Sequence, residues 1–95
     1  MEYFEVGTKK DIIYWSKRLY QKGLSPATSG NISVRTKDGI LISSSGVCLN
    51  DMSEDDIVLI DFDGNLLQGN KKPSSEKFLH TQIYDLREDV NAIIH

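Results

Sequence analysis

Ile32-Ser33-Val34-Arg35-Thr36-Lys37-Asp38-Gly39-Ile40-Leu41-Ile42 is the stretch on which the fold turns. Apolar and polar residues alternate over Ile32 to Arg35, the period of a half-buried strand. Asp38-Gly39 is a turn pair and Ile40-Leu41-Ile42 supplies the return strand, so the stretch reads as a β-hairpin. Toward the C-terminus, Ser53 ahead of Glu54-Asp55-Asp56 caps one short helical turn whose acidic residues suit the positive end of a helix dipole. A strand over Ile57 to Phe62, a turn at Asp63-Gly64 and a partner over Asn65 to Gln68 make a second hairpin. Toward the N-terminus, Ile12, Trp15, Ser16, Leu19 and Tyr20 fall on one face at helical spacing. They predict a helix from about Lys9 to Lys22, opened by Thr8 with Asp11 and closed by Gly23, with Leu24 to Gly30 as a loop. Pro73-Ser74-Ser75 introduces a second helix with Leu79, Ile83 and Leu86 at i, i+4 and i+7, and Val90 to His95 is apolar and β-branched enough for a last strand. Hairpins between flanking helices make the class α/β or α+β, with helices packed on a mainly antiparallel sheet.

The composition narrows the function. Among 95 residues, 11 Lys and Arg stand against 14 Asp and Glu, a net charge of −3. A mildly acidic chain lacks the dense basic face of a nucleic-acid reader, so no nucleic-acid partner is expected. No apolar run, Ile57-Val58-Leu59-Ile60 and Ala92-Ile93-Ile94 included, exceeds four residues, far short of the roughly 20 residues that span a bilayer, so no membrane role is expected. Met1-Glu2-Tyr3-Phe4-Glu5 has neither the basic start nor the apolar block of a secretory signal, which makes the cytoplasm the expected location. Cys48 is the sole cysteine, which rules out an internal disulfide and a multi-cysteine zinc site. Any metal has to be held by His, Asp or Glu.

Three short loops share a chemistry. Thr28-Ser29-Gly30-Asn31, Ser43-Ser44-Ser45-Gly46 and Pro73-Ser74-Ser75-Glu76 each set hydroxyls where the backbone can approach a ligand. The third also lies at a helix N-terminus, where free N–H groups favour an anion. Singly, each is an ordinary turn composition; together they could hold a phosphate without a lysine. Glu76, in the first turn of the second helix, reads either as a dipole-complementing surface carboxylate or as a general acid or base beside the anion. The second role calls for partial burial to raise its pKa from about 4.3 toward neutrality. His80, four residues on, reads as a helix-face residue, His95 as a lone histidine at a strand end, and Cys48 as a small loop or core residue.

Taken in order, Thr28 to Arg35, Ser45-Gly46, Asp55-Asp56-Ile57-Val58, Pro73-Ser74-Ser75-Glu76 and Asn91-Ala92-Ile93-Ile94-His95 resemble the class II aldolase and adducin family. The likeness runs from about Asp11 to the last residue. It implies the N-terminal part of a three-layer α/β/α sandwich with a central, mainly antiparallel sheet, residues 1–95 being an incomplete portion of the domain. It also implies a zinc-dependent sugar-phosphate aldolase, a carbon–carbon lyase, assembled as a homotetramer with active sites between subunits. By the same resemblance, Gly30 and Asn31, Ser45 and Gly46, and Ser74 and Ser75 contact the substrate phosphate. Glu76 matches the catalytic acid/base, and His95 the first histidine of a His-x-His zinc pair. The remaining zinc ligands of the family have no counterpart here, so the chain alone is expected to be inactive. Ribulose-phosphate 4-epimerases tend to carry Asp where this chain has Glu76. Methylthioribulose-phosphate dehydratases share the zinc and phosphate framework, and adducin-like modules keep the fold without the chemistry.

Overall fold

The computed structural model describes residues 5–24 and 30–95, with side chains from Lys9 onward. The hairpin forms where the alternation predicts it: β1 (Ile32–Thr36) pairs antiparallel with β2 (Gly39–Ser43). Its turn, however, is Lys37-Asp38, because Thr36 and Gly39 face each other across the ladder. Thr36 Oγ1 donates to the Gly39 carbonyl at 3.0 Å and accepts from the Asp38 N–H at 3.2 Å. Gly39 is thus a strand residue, with φ at +145°, and a Cβ on it would lie 2.3 Å from the Ile60 carbonyl oxygen. Its missing side chain lets the neighbouring strand approach.

That neighbour is β3 (Ile57–Ile60), followed by the short edge strand β4 (Leu66–Gln68). The strand ends two residues before the expected Phe62 because the Asp61 carboxylate accepts the N–H groups of Asp63 and Asn65, at 2.9 and 2.8 Å, and turns the chain. With β5 (Ala92–Ile94) on β1, the sheet runs β4-β3-β2-β1-β5, antiparallel throughout. The central strands are buried on both faces, which is what unbroken runs such as Ile40-Leu41-Ile42 encode. On one face Leu41, Ile57 and Leu59 pack with Ile12 of α1 (Glu5–Gln21) and with Leu49 and Met52. On the other, Ile40, Ile42, Val58 and Ile60 pack against Tyr84 of α2 (Lys77–Leu86). Helix, sheet and helix therefore form three layers.

Both helices depart from expectation in detail. Helix α1 already runs at Glu5, so Thr8 and Asp11 lie inside it and do not cap it. Ile12 and Ser16 are buried, whereas Trp15 is exposed and meets Tyr14 edge-on. Gly23 ends the helix as expected: its φ is +73°, and the N–H groups of Gly23 and Leu24 return to the carbonyls of Tyr20 and Leu19. In α2, Glu76 is the N-cap rather than a first-turn residue. The buried stripe is His80, Thr81 and Tyr84, while Leu86 is 79% exposed and Leu79 also faces outward. Apolar periodicity named the wrong face because the surface of β1 under α2 is polar. Ser33 bonds His80 and Tyr84 there. Arg35 donates to the carbonyls of Tyr84 and Arg87, each at 2.8 Å, and to that of Val90 at 3.0 Å. Its guanidinium also lies 4.8 Å from the centre of the Tyr84 ring. A cation on the last carbonyls of a helix suits its dipole, so Arg35 fixes the end of α2 to the sheet.

The expected Ser53 cap is reciprocal. Asp56 N–H bonds the Ser53 carbonyl, while the Asp56 carboxylate accepts the Ser53 N–H at 2.9 Å and the Ser53 hydroxyl at 3.1 Å. Lys71, 2.5 Å from the other Asp56 oxygen, holds this acid below the usual carboxylate range, helped by the Ser53 bonds. That pair ties the polar connection before α2 to the start of β3.

Candidate active site

Because β1 runs antiparallel to both β2 and β5, the start of β1 shares one end of the sheet with the ends of the other two. Asn31 and His95 close the β1–β5 ladder there, exchanging N–H···O bonds of 2.9 Å in each direction. Beside them, a bridge between Ser44 and Pro73 lays the segment before α2 against the end of β2. Ser45 N–H donates to the Lys72 carbonyl at 2.8 Å and Ser74 N–H to the Ser43 carbonyl at 3.0 Å. The fold thus draws together Gly30-Asn31, Ser45-Gly46, Ser74-Ser75 and His95, segments scattered over more than sixty positions of sequence.

Glu76 contacts three of these segments, through Asn31, Ser74 and His95. One carboxylate oxygen accepts the Asn31 side-chain amide at 2.5 Å and lies 2.8 Å from His95 Nδ1. Its backbone N–H donates to Ser74 Oγ at 3.2 Å. The side chains of Glu76 and His95 are 39% and 53% exposed, so an incoming molecule can reach both. The bond from His95, and after it that from Asn31, holds the Glu76 carboxyl below its ordinary range. This reverses the expected upward shift, because polar partners outweigh desolvation at a site open to solvent.

Of the other residues singled out, Ser74 is buried, Gly30 is half-buried, and Ser45, Gly46 and Ser75 are exposed. Thr28 and Ser29 lie outside the described residues. Cys48 is a half-buried free thiol in the loop after β2. His80 overturns its reading as a plain helix-face residue. It is fully buried, Nδ1 lies 2.6 Å from Ser33 Oγ, and Nε2 contacts the Asn31 side-chain oxygen. Ser33 Oγ is in turn 2.8 Å from the Tyr84 hydroxyl. Neither Ser33 nor Tyr84 stood out in the sequence. The available signal is spacing: Glu76, His80 and Tyr84 recur every four residues, one face of a helix.

Burial, with a smaller push from the His95 charge and an opposing pull from Glu76, lowers the His80 pKa to about 4; burial raises that of Tyr84 to about 12. A histidine held neutral stabilises the fold fully above its unfolded value near 6.5, and that stability is lost as pH falls toward the folded value. The expected loss is on the order of 3 kcal/mol between pH 6.5 and 4. Urea midpoints of the intact protein measured across that range check it. His80→Gln, which cannot titrate, is expected to flatten the acid limb, and an identical limb in that variant would contradict it.

A zinc ion takes imidazole and carboxylate ligands, and His95 with Glu76 beside it offers both types. The number falls short: among the described residues no group of three or more His, Cys, Asp or Glu could hold a metal ion. Also among those residues, no helix is long and apolar enough to cross a membrane.

The helix–sheet–helix fold is that of a known family of domains. The chain belongs to the class II aldolase and adducin family, whose N-terminal domain profile matches residues 10–95. It is similar to an L-fuculose phosphate aldolase of Methanocaldococcus jannaschii, 44% identical over 87 residues that cover 92% of this chain and 47% of that protein. A methylthioribulose-1-phosphate dehydratase of Azotobacter vinelandii is 41% identical over 87 residues, 90% of this chain and 42% of that protein. Among solved structures, an L-fuculose 1-phosphate aldolase superimposes with a TM-score of 0.86 at 38% identity, covering 92% of this chain and 42% of that one. The chain therefore spans less than half the length of the curated relatives it matches.

Proposed function

We propose that the intact protein is a zinc-dependent class II sugar-phosphate aldolase that cleaves an L-fuculose 1-phosphate-like ketose phosphate to dihydroxyacetone phosphate and an aldehyde. Residues 1–95 form the N-terminal portion of its domain. The observation that carries this reading is the Glu76 carboxylate, bonded by Asn31 and His95 beside the hydroxyl-bearing loops.

In this reading Ser45-Gly46 and Ser74-Ser75, with Gly30-Asn31, bind the phosphate near the start of α2, chiefly through the serine hydroxyls, because the N–H groups of Asn31, Ser45 and Ser74 already donate to carbonyls. Anions are favoured there. Phosphate binding is remote from the reacting carbons and orients them against Glu76. Glu76, ionised at neutral pH, takes the proton of the substrate hydroxyl as the carbon–carbon bond breaks and gives it to the carbanionic carbon of the three-carbon fragment, ending the turnover ionised again. His95 would supply one metal ligand, and the further ligands of a catalytic site are not found among the described residues. A metal so held would supply Lewis-acid polarisation of the substrate oxygens.

Metal dependence follows. Chelation is expected to abolish release of dihydroxyacetone phosphate from L-fuculose 1-phosphate by the intact protein, and zinc to restore it; full turnover after exhaustive chelation would contradict the reading. A second reading, sugar-phosphate dehydratase, is favoured by the 41% identity to the Azotobacter enzyme. Its mark would be dehydration of methylthioribulose 1-phosphate in place of cleavage.

A further inference from the structure

We propose that His80 is a positioning residue for Glu76, acting through Asn31 to fix the direction of the hydrogen bond that the carboxylate receives. This rests on the reading of Glu76 as the acid/base and deepens it.

With Glu76 ionised and the buried His80 neutral, the directions follow from donor and acceptor inventory. An ionised Glu76 can only accept, so the Asn31 amide must turn its NH2 toward it, across the 2.5 Å contact. The Asn31 oxygen then faces His80 Nε2 and can only accept, so Nε2 carries the proton. A neutral imidazole protonated at Nε2 has an accepting Nδ1, which receives the Ser33 hydroxyl hydrogen. The Ser33 oxygen accepts from Tyr84. Each donor has one acceptor along the line Tyr84, Ser33, His80, Asn31, Glu76. Turning the amide over would set its oxygen against the carboxylate and its NH2 against the Nε2 proton, two repulsive contacts at once. Asn31, Ser33, His80 and Tyr84 are each no more than 5% exposed, so water is a poor substitute for any missing partner.

The inner end also says what the line is not. Tyr84 is 1% exposed and packs among Ile40, Ile42, Val58 and Ile60. A path that ends in the core has no outlet to exchange protons with solvent. The network orients the carboxylate and does not deliver protons to it.

Two variants and one spectrum test this in the intact protein. His80→Met fills the site without a donor, and is expected to lower kcat between about 10- and 100-fold with KM changed much less. His80→Gln offers an N–H and a carbonyl oxygen in place of the two ring nitrogens and is expected to recover most of that loss, which a purely space-filling role would not produce. In 15N-labelled protein, His80 is expected as the single tautomer protonated at Nε2. The Nδ1-protonated tautomer, or a parental kcat in folded His80→Met, would overturn the proposal. Loss of turnover in Glu76→Gln with none in His80→Met removes the positioning role alone. Full turnover in Glu76→Gln removes the acid/base reading and the positioning role with it.

Discussion

Glu76→Gln is expected to lower kcat for sugar-phosphate cleavage by about three orders of magnitude, the range set by loss of a general acid or base. The substitution is close to isosteric. The new amide oxygen can still accept from Asn31, now joined at 2.5 Å to the carboxylate, so the loop before α2 is expected to keep its place. What disappears is the charge and the ability to take a proton. KM is expected to change little, because the proposed phosphate contacts at Ser45, Gly46, Ser74 and Ser75 are untouched. Steady-state kinetics on the intact protein with L-fuculose 1-phosphate give the answer, and a kcat within threefold of the parent would remove Glu76 from the chemistry.

Gly39→Ala is expected to destabilise the fold by on the order of 3 kcal/mol. Two penalties coincide at this residue. Its φ of +145° disfavours any side chain, and the added Cβ would lie 2.3 Å from the Ile60 oxygen and 3.3 Å from the Ile60 carbonyl carbon. Both atoms are backbone, so relief requires β2 and β3 to move apart at the Ile40–Ile60 pair, where the core is packed on both faces. Gly23→Ala is the control. Gly23 also has positive φ, at +73°, but a Cβ there meets nothing within 4 Å, so only the backbone cost of about 1 kcal/mol applies. Equal shifts in the urea midpoints of the two variants would show that the close approach of the strands carries no weight.

These residues also mark what could be read from the sequence. Ile40-Leu41-Ile42 and Ile57 to Phe62 announce strands, and the hairpins announce an antiparallel sheet; both readings agree with the sheet observed, save that the second strand ends at Ile60. Gly39 was legible as a turn glycine, but its real constraint is the nearness of Ile60, a contact between strands that local sequence does not display. The stripe of α2 was misread for a related reason. Leu79, Ile83 and Leu86 have the right spacing for a core face, yet the sheet beneath that helix presents Ser33 and Arg35 of β1 beside the apolar Ile40, Ile42, Val58 and Ile60, so His80 and Tyr84, which meet both kinds of surface, turn inward. A hydrophobic pattern reports the wrong face when the partner surface is polar in part.

For the site, the three hydroxyl loops, Glu76 and His95 were all visible as residue types, and the order of their motifs pointed to the family. Their convergence depends on pairings such as Asn31 with His95 and Ser44 with Pro73, which span 64 and 29 positions. Hidden as well was the support beneath Glu76. Ser33, His80 and Tyr84 are unremarkable singly and gain a role only when β1 and α2 are packed face to face.

The most direct test of the proposed function is a side-by-side assay of the zinc-loaded intact protein on L-fuculose 1-phosphate and methylthioribulose 1-phosphate. The expected result is release of dihydroxyacetone phosphate from the first and no dehydration of the second; dehydration of the second without cleavage of the first would contradict it.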